Sequence, residues 1–311
     1  MKNRNPIISP AARSAIPALV VGAVLISFSG VWVKLSHVTP ASAAFYRVLI
    51  GGIFLLLGSV LRKEFCRLSR LQTGLILLAG VLFALDLICY HISILYVGPG
   101  LGTILPNFQV FIMALVGVLA LKEKLRPVYV FSVLLAIAGL LLVVGIRWDL
   151  LEAKYRLGIY AGLATSIFYS GFLLSIRSLH GDTNPAHGST RKLSFFYILM
   201  MVSLTSTGCL AGEMFLAGDS FAIPDMQTML SLTVLGIFSQ GIGWILIANA
   251  LPRLRVSLSG LILLLQPAMA FVWDVVFFDR PTGGLNWLGV VVVLGAIYMG
   301  TLGVKSRSRS N

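Results

Sequence analysis

The sequence predicts an all-α integral membrane protein: ten transmembrane helices in two inverted five-helix repeats. Three observations carry that expectation. Of the 311 residues, 58% are hydrophobic and only 11% charged, against roughly 25% charged in an ordinary soluble domain. Charge-free apolar runs recur along the whole chain, and about 20 helical residues suffice to cross ~30 Å of hydrocarbon. The basic residues behind the net charge of +13 punctuate those runs instead of clustering, which argues against a nucleic-acid surface. Because the runs lack the apolar/polar alternation of a barrel strand, only helices satisfy their backbones in lipid.

Span 1 is expected at 16–35, in a charge-free run that follows Lys2, Arg4 and Arg13. That run is longer than a signal-peptide core and ends without an A-x-A-type cleavage site, so it is read as a helix. Span 2, at 41–61, holds Arg47. Span 3, at 71–96, holds Asp86 and stops before Gly98-Pro99-Gly100, a turn signal too strong for a helix interior. Span 4 follows at 101–121, interrupted by Pro106, and span 5 at 128–146. Span 6, at 157–178, carries Gly158, Gly162, Ser166 and Ser170 at four-residue intervals, a ridge for close helix packing. Spans 7 to 10 are expected at 193–216, 227–251, 255–278 and 284–304, with Pro267 interrupting span 9. The resulting division is 1–146, an outer connection at 147–156, 157–304 and a basic tail at 305–311. Cys66, Cys89 and Cys209 are odd in number and two lie in apolar runs, so they read as packing residues, not a disulfide framework.

Placing both termini in the cytoplasm leaves Lys34, Arg147, Lys154, Arg156 and Arg280 outside and Arg47 within a span, while the other 18 of 24 basic residues lie inside. The positive-inside rule favours this orientation in a plasma (bacterial inner) membrane. The connections are too short for a soluble domain. Function is expected within the bilayer.

The halves resemble one another in order. Phe28-Ser29-Gly30 matches Tyr169-Ser170-Gly171, Phe45-Tyr46 matches Phe196-Tyr197, Gln109 matches Gln266, Glu123 matches Asp279, and Ser132 matches Gly289. Five spans per half is an odd number, so the second half is inverted, a transporter signature.

With Ala43-Ala44-Phe45-Tyr46-Arg47 opening span 2, Leu119 to Leu125 closing span 4, and Gln266-Pro267 through Phe278-Asp279-Arg280-Pro281 in span 9, the chain resembles the ten-helix EamA-like branch of the drug/metabolite transporter superfamily. The resemblance covers nearly the whole chain and lies nearest the bacterial aromatic-amino-acid exporters. The second half has no counterpart of Arg47. The resemblance implies a secondary exporter of neutral, aromatic or large apolar amino acids working by alternating access, with no cofactor.

Candidate substrate-binding residues are the rings Trp32, Tyr90, Phe168, Tyr169 and Trp244 and the polar groups His91, Asn107, Gln109, Gln240 and Gln266, with Phe28, Trp273 and Asn249 nearby in kind. Rings give a zwitterion with an apolar side chain a stacking wall and a weak cation–π surface for its ammonium. Arg47, Asp86 and Asp274 are ionisable within spans and expensive there unless paired or facing a cavity. Asp86 lies nearest mid-bilayer, whereas Arg47 and Asp274 lie close enough to the outer surface to pair or snorkel. Pro106 and Pro267 break helices at matched places, freeing the carbonyls of Gly102 and Leu263. No metal site, Walker loop, H-E-x-x-H or G-x-S-x-G supports an enzyme or an ATP-driven pump. Within the superfamily, carriers of organic cations or nucleotide sugars are the alternatives. A small-molecule substrate and lipid are the partners expected, and the sequence is compatible with a monomer.

Overall fold

The computed structural model describes residues 10–65, 68–144, 153–181, 193–279 and 281–302. Cys66, Arg280, most of the 147–156 connection and the 305–311 tail lie outside the described residues. Among the described residues nine helices are long and apolar enough to cross a membrane, and a shorter apolar helix, Pro127–Val143, makes a tenth segment. Spans 1 to 5 run Ser14–Leu35, Pro40–Leu61, Arg70–Val97, Gly102–Leu119 and Pro127–Val143, and spans 6 to 10 run Lys154–Leu179, Phe195–Ala217, Met226–Arg253, Val256–Phe278 and Gly284–Thr301. The perimeter carries large exposed apolar side chains such as Leu57, Phe131 and Val291, the surface expected where lipid is the solvent.

Local sequence sets the helix ends. Thr39 caps span 2 by accepting from the Ser42 amide at 3.2 Å, directly before Pro40 at the first helical position. Ser69 and Gln72 exchange hydrogen bonds of 3.2 and 3.0 Å, a reciprocal box that starts span 3. Asp225 caps span 8 through the Thr228 amide at 2.7 Å, and Gly218 closes span 7 at φ 73°, a conformation that suits glycine.

The Gly98-Pro99-Gly100 break differs in form from the turn the sequence suggests. Helical hydrogen bonding continues from Arg70 to Ile104, yet the chain folds back there: a Cβ on Gly102 would lie 3.1 Å from the Ile94 Cα. On a straight helix eight residues rise about 12 Å, so spans 3 and 4 are distinct segments joined by a tight bend.

Four spans depart from a regular α-helix. Span 1 is interrupted at Phe28, between Pro10–Ser27 and Ser29–Leu35. Span 4 narrows to a 3₁₀ turn over Leu105–Phe108 around Pro106, and span 9 breaks at Leu264, three residues before Pro267. Span 8 widens to a π-helix over Leu235–Gly243. Such segments cluster where function needs a bent or re-aimed helix.

Neighbour relations are regular. Spans 2 and 7, 4 and 9, and 5 and 10 lie side by side; span 3 packs on spans 6 and 7, span 8 on spans 1 and 2, span 1 on span 9, and span 4 on span 6. Advancing every span number by five, with ten followed by one, leaves that set of neighbours unchanged. At three of these crossings glycines bring backbones together: Gly22 with Gly243, Gly51 with Gly236, and Gly139 with Gly289.

Candidate functional site

The buried centre is a cluster of rings with a polar edge, drawn from both halves. Span 3 contributes Phe83, Asp86 and Tyr90, which at i, i+3 and i+7 share one helix face. Span 6 contributes Tyr169 and Phe172, one turn apart, and span 8 contributes Trp244 immediately after its π segment. Trp244 is 1% exposed. Its indole meets Phe172, Phe83 and Tyr169 edge-on at centroid distances of 4.8, 5.6 and 6.1 Å, while Phe83 and Phe172 stack at 4.6 Å. Each such pair contributes about 0.5–1.5 kcal/mol beyond area burial. Trp244 Nε1, though buried, has no hydrogen-bond acceptor among the described residues.

Polar groups edge this ring cluster. Arg47 Nε donates to Gln240 Oε1 at 3.2 Å, and the Gln240 amide donates onward to Ser203 Oγ at 3.1 Å. The Arg47 guanidinium also lies over Phe83, 5.9 Å from the ring centre. Gln266 donates to the Tyr169 hydroxyl at 3.3 Å. Asp86 is buried, and no described residue forms an ion pair with it. Arg47 nonetheless interacts electrostatically with Asp86, Tyr90 and Tyr169, and His91 lies within its reach. One guanidinium and one buried carboxyl group thus edge the ring cluster without closing on each other.

The structure brings together Tyr90, Tyr169, Trp244, Gln240, Gln266, Arg47 and Asp86. His91 sits beside Tyr90 with ring centres 6.1 Å apart. Several other candidates lie elsewhere. Trp32 packs in a separate hydrophobic cluster with Ala43, Leu232 and Leu235. Phe168 is half-buried outside the ring quartet. Asn107 turns its amide onto the Thr103 carbonyl at 2.6 Å and Asn249 onto Ile245 at 2.9 Å, so both satisfy their own helices. Gln109 is buried on span 4, and its Oε1 has no donor among the described residues. Asp274 pairs with Lys34 at 2.7 Å, while its neighbour Trp273 stacks on Phe28 at 4.1 Å and donates to Ser27 Oγ at 2.8 Å.

Arg47 is deeper than its place in the sequence suggests, since its guanidinium reaches Gln240 at the midpoint of span 8. Sequence reasoning missed Phe83, Phe172 and Ser203. Helical spacing from Asp86 and Tyr169 was the available signal for the two phenylalanines, and Ser203 had none.

The chain matches the EamA-like transporter family over residues 13–145 and again over 156–302. It belongs to that family. Pseudopaline exporters of two Pseudomonas aeruginosa strains are 25% identical over 188 residues, which is 60% of this chain and 63% of theirs, so the match spans just under two thirds of those relatives. A transporter of Haemophilus influenzae with no assigned substrate is 23% identical over 89% of this chain and 90% of its own. A solved crystal structure shares the fold, with a TM-score of 0.76 at 17% identity over 94% of this chain and 99% of that one. The chain is thus a member of a transporter family, with helices long and apolar enough to cross a membrane among its described residues.

Proposed function

We propose that this EamA family member is a secondary exporter of neutral amino acids with aromatic or large apolar side chains, and that the ring-lined centre binds them as zwitterions. The observation that carries the reading is Arg47 and Asp86 held at one centre without pairing. Arg47 has its Nε edge engaged, which leaves two Nη groups to grip a carboxylate. Asp86 supplies a counter-charge for the α-ammonium, and Trp244, Tyr169, Phe172 and Phe83 supply a wall for the side chain. A nucleotide sugar would ask for more cations than the one here.

We further propose two inverted halves, 1–146 and 157–304, that rock about this centre, with both termini cytoplasmic in a bacterial inner membrane. The neighbour pattern that survives a shift of five spans, and the two successive family matches, support this arrangement.

Reconstituted vesicles tested with phenylalanine, leucine, glutamate, lysine and an aromatic organic cation decide the matter. Phenylalanine and leucine should move and compete with one another. Transport of the organic cation alone, dependent on Asp86 and indifferent to Arg47, would establish the cation carrier instead.

A further inference from the structure

Ser203 ends the hydrogen-bonded chain that begins at Arg47. It is 0% exposed on span 7, and its Oγ accepts from Gln240 Nε2 at 3.1 Å. At its other end the amide accepts from Arg47 Nε at 3.2 Å. The Gln240 side chain is therefore tethered at both ends, between spans 2 and 7. Its path depends on glycine: a Cβ on Gly51 would lie 2.4 Å from Gln240 Cγ, and one on Gly52 would lie 3.3 Å from Ser203 Cβ. The amide crosses span 2 where that helix has no side chain and meets Arg47 one turn away. A guanidinium held by its Nε edge is planar and stiff, so fixing that edge fixes the direction in which Nη1 and Nη2 point.

We propose that Ser203 is a positioning residue which, through Gln240, aims the Nη pair of Arg47 at the carboxylate of the substrate. This inference rests on the zwitterion reading above. Ser203 and Gln240 then set the preference for carboxylate-bearing over carboxylate-free compounds without touching either. Losing the Ser203 bond frees the amide to turn and lets the guanidinium swing, which weakens its grip on a carboxylate and leaves ring stacking intact.

The test uses the full chain in vesicles, with L-phenylalanine and L-phenylalaninamide as probes and KM and kcat determined for each. Ser203→Ala should raise KM for phenylalanine about three- to tenfold, the effect of one lost neutral hydrogen bond. KM for the amide and both kcat values should stay within about twofold of the parent. Gln240→Glu places a carboxylate on Arg47 and should reverse the preference toward the amide, and it decides alone if Ser203→Ala fails to insert. Arg47→Gln is the control and should abolish discrimination. If Arg47→Gln abolishes it but Ser203→Ala shifts both KM values equally or neither, Ser203 only packs and the inference is overturned while the proposed function stands. If Arg47→Gln leaves discrimination at the parental value, the zwitterion reading fails and the inference falls with it.

Discussion

Arg47 and Asp86 are the two residues whose chemistry is hardest to explain as packing. A buried carboxylate without an ion pair is costly, and it persists where a cavity or a ligand compensates. Asp86→Asn should reduce phenylalanine transport and change its pH profile more than Asp274→Asn, which weakens a half-exposed pair with Lys34 of a kind generally contributing less than about 1 kcal/mol. Parental transport by both variants would refute the role given to Asp86. Trp244→Ala should lower phenylalanine transport by about tenfold, because three edge-on ring contacts disappear together. Trp32→Ala should leave transport close to parental, since that ring packs in a separate cluster with Ala43, Leu232 and Leu235. Equal transport by these two tryptophan variants would show the ring cluster to be structural. Tyr90, Tyr169, Trp244, Gln240 and Gln266 were legible in the sequence as deep aromatic or polar groups. Phe83 and Phe172 were not, because phenylalanine in an apolar helix carries no mark until the partner helix is known. Arg47 was misjudged in depth, since counting residues from a helix end ignores how far an arginine reaches.

The spans were legible to within a few residues, because about 20 apolar residues between charges have only one economical structure in lipid. Their irregularities were less so. Prolines announced the breaks in spans 4 and 9, but the break at Phe28 and the π segment of span 8 carry no such mark and lie at contacts between helices, the stack on Trp273 and the crossings at Gly236 and Gly243. Glu123, just past span 4, shows the same limit: its carboxylate accepts from the Val256 amide at 2.8 Å and from the Ser257 amide and hydroxyl at 3.3 and 2.6 Å, so it caps span 9 across the molecule. Tyr129 of span 5 also joins this end by donating to the Ser257 carbonyl at 2.9 Å, and Arg177 of span 6 donates to the carbonyls of Leu251 and Leu254. Glu123→Ala should destabilise the detergent-purified protein by about 1–2 kcal/mol, the usual effect of a lost cap, with Glu123→Gln falling between it and the parent. A melting temperature unmoved by Glu123→Ala would show that the cap carries no weight.

At the scale of the whole molecule, orientation is the first thing to check. In a background lacking native cysteines, an impermeant reagent applied from outside should modify Ser220→Cys and spare Lys124→Cys, and the reverse pattern would invert the topology. The end of the bundle that holds His37 and Asp225 also carries an acid-sensitive contact. His37 Nδ1 donates to Asp225 at 2.7 Å while Asp225 caps Thr228, and these bonds, His37 first, hold the carboxyl below its ordinary value of 3.8. A depressed carboxyl stabilises the fold fully above its unfolded value and loses that contribution as pH falls below 3.8 through the folded value. Melting followed from pH 6 to about pH 3 should therefore decline less steeply for Asp225→Asn than for the parent, and identical slopes would remove the contact from consideration.

The glycine crossings have a consequence for how this protein tolerates change. Gly22 with Gly243, Gly51 with Gly236 and Gly139 with Gly289 each join a helix of the first half to one of the second, and an added methyl at any of the six would meet a neighbouring atom at 2.4–2.9 Å. Leu57, Phe131 and Val291 face outward, where exchanging one apolar side chain for another changes little because lipid is equally apolar. A saturation map of the gene should therefore be two-toned along spans 1, 2, 5, 8 and 10. The glycine positions at the crossings should accept nothing beyond hydrogen as a side chain, while the outward-facing positions accept almost any hydrocarbon.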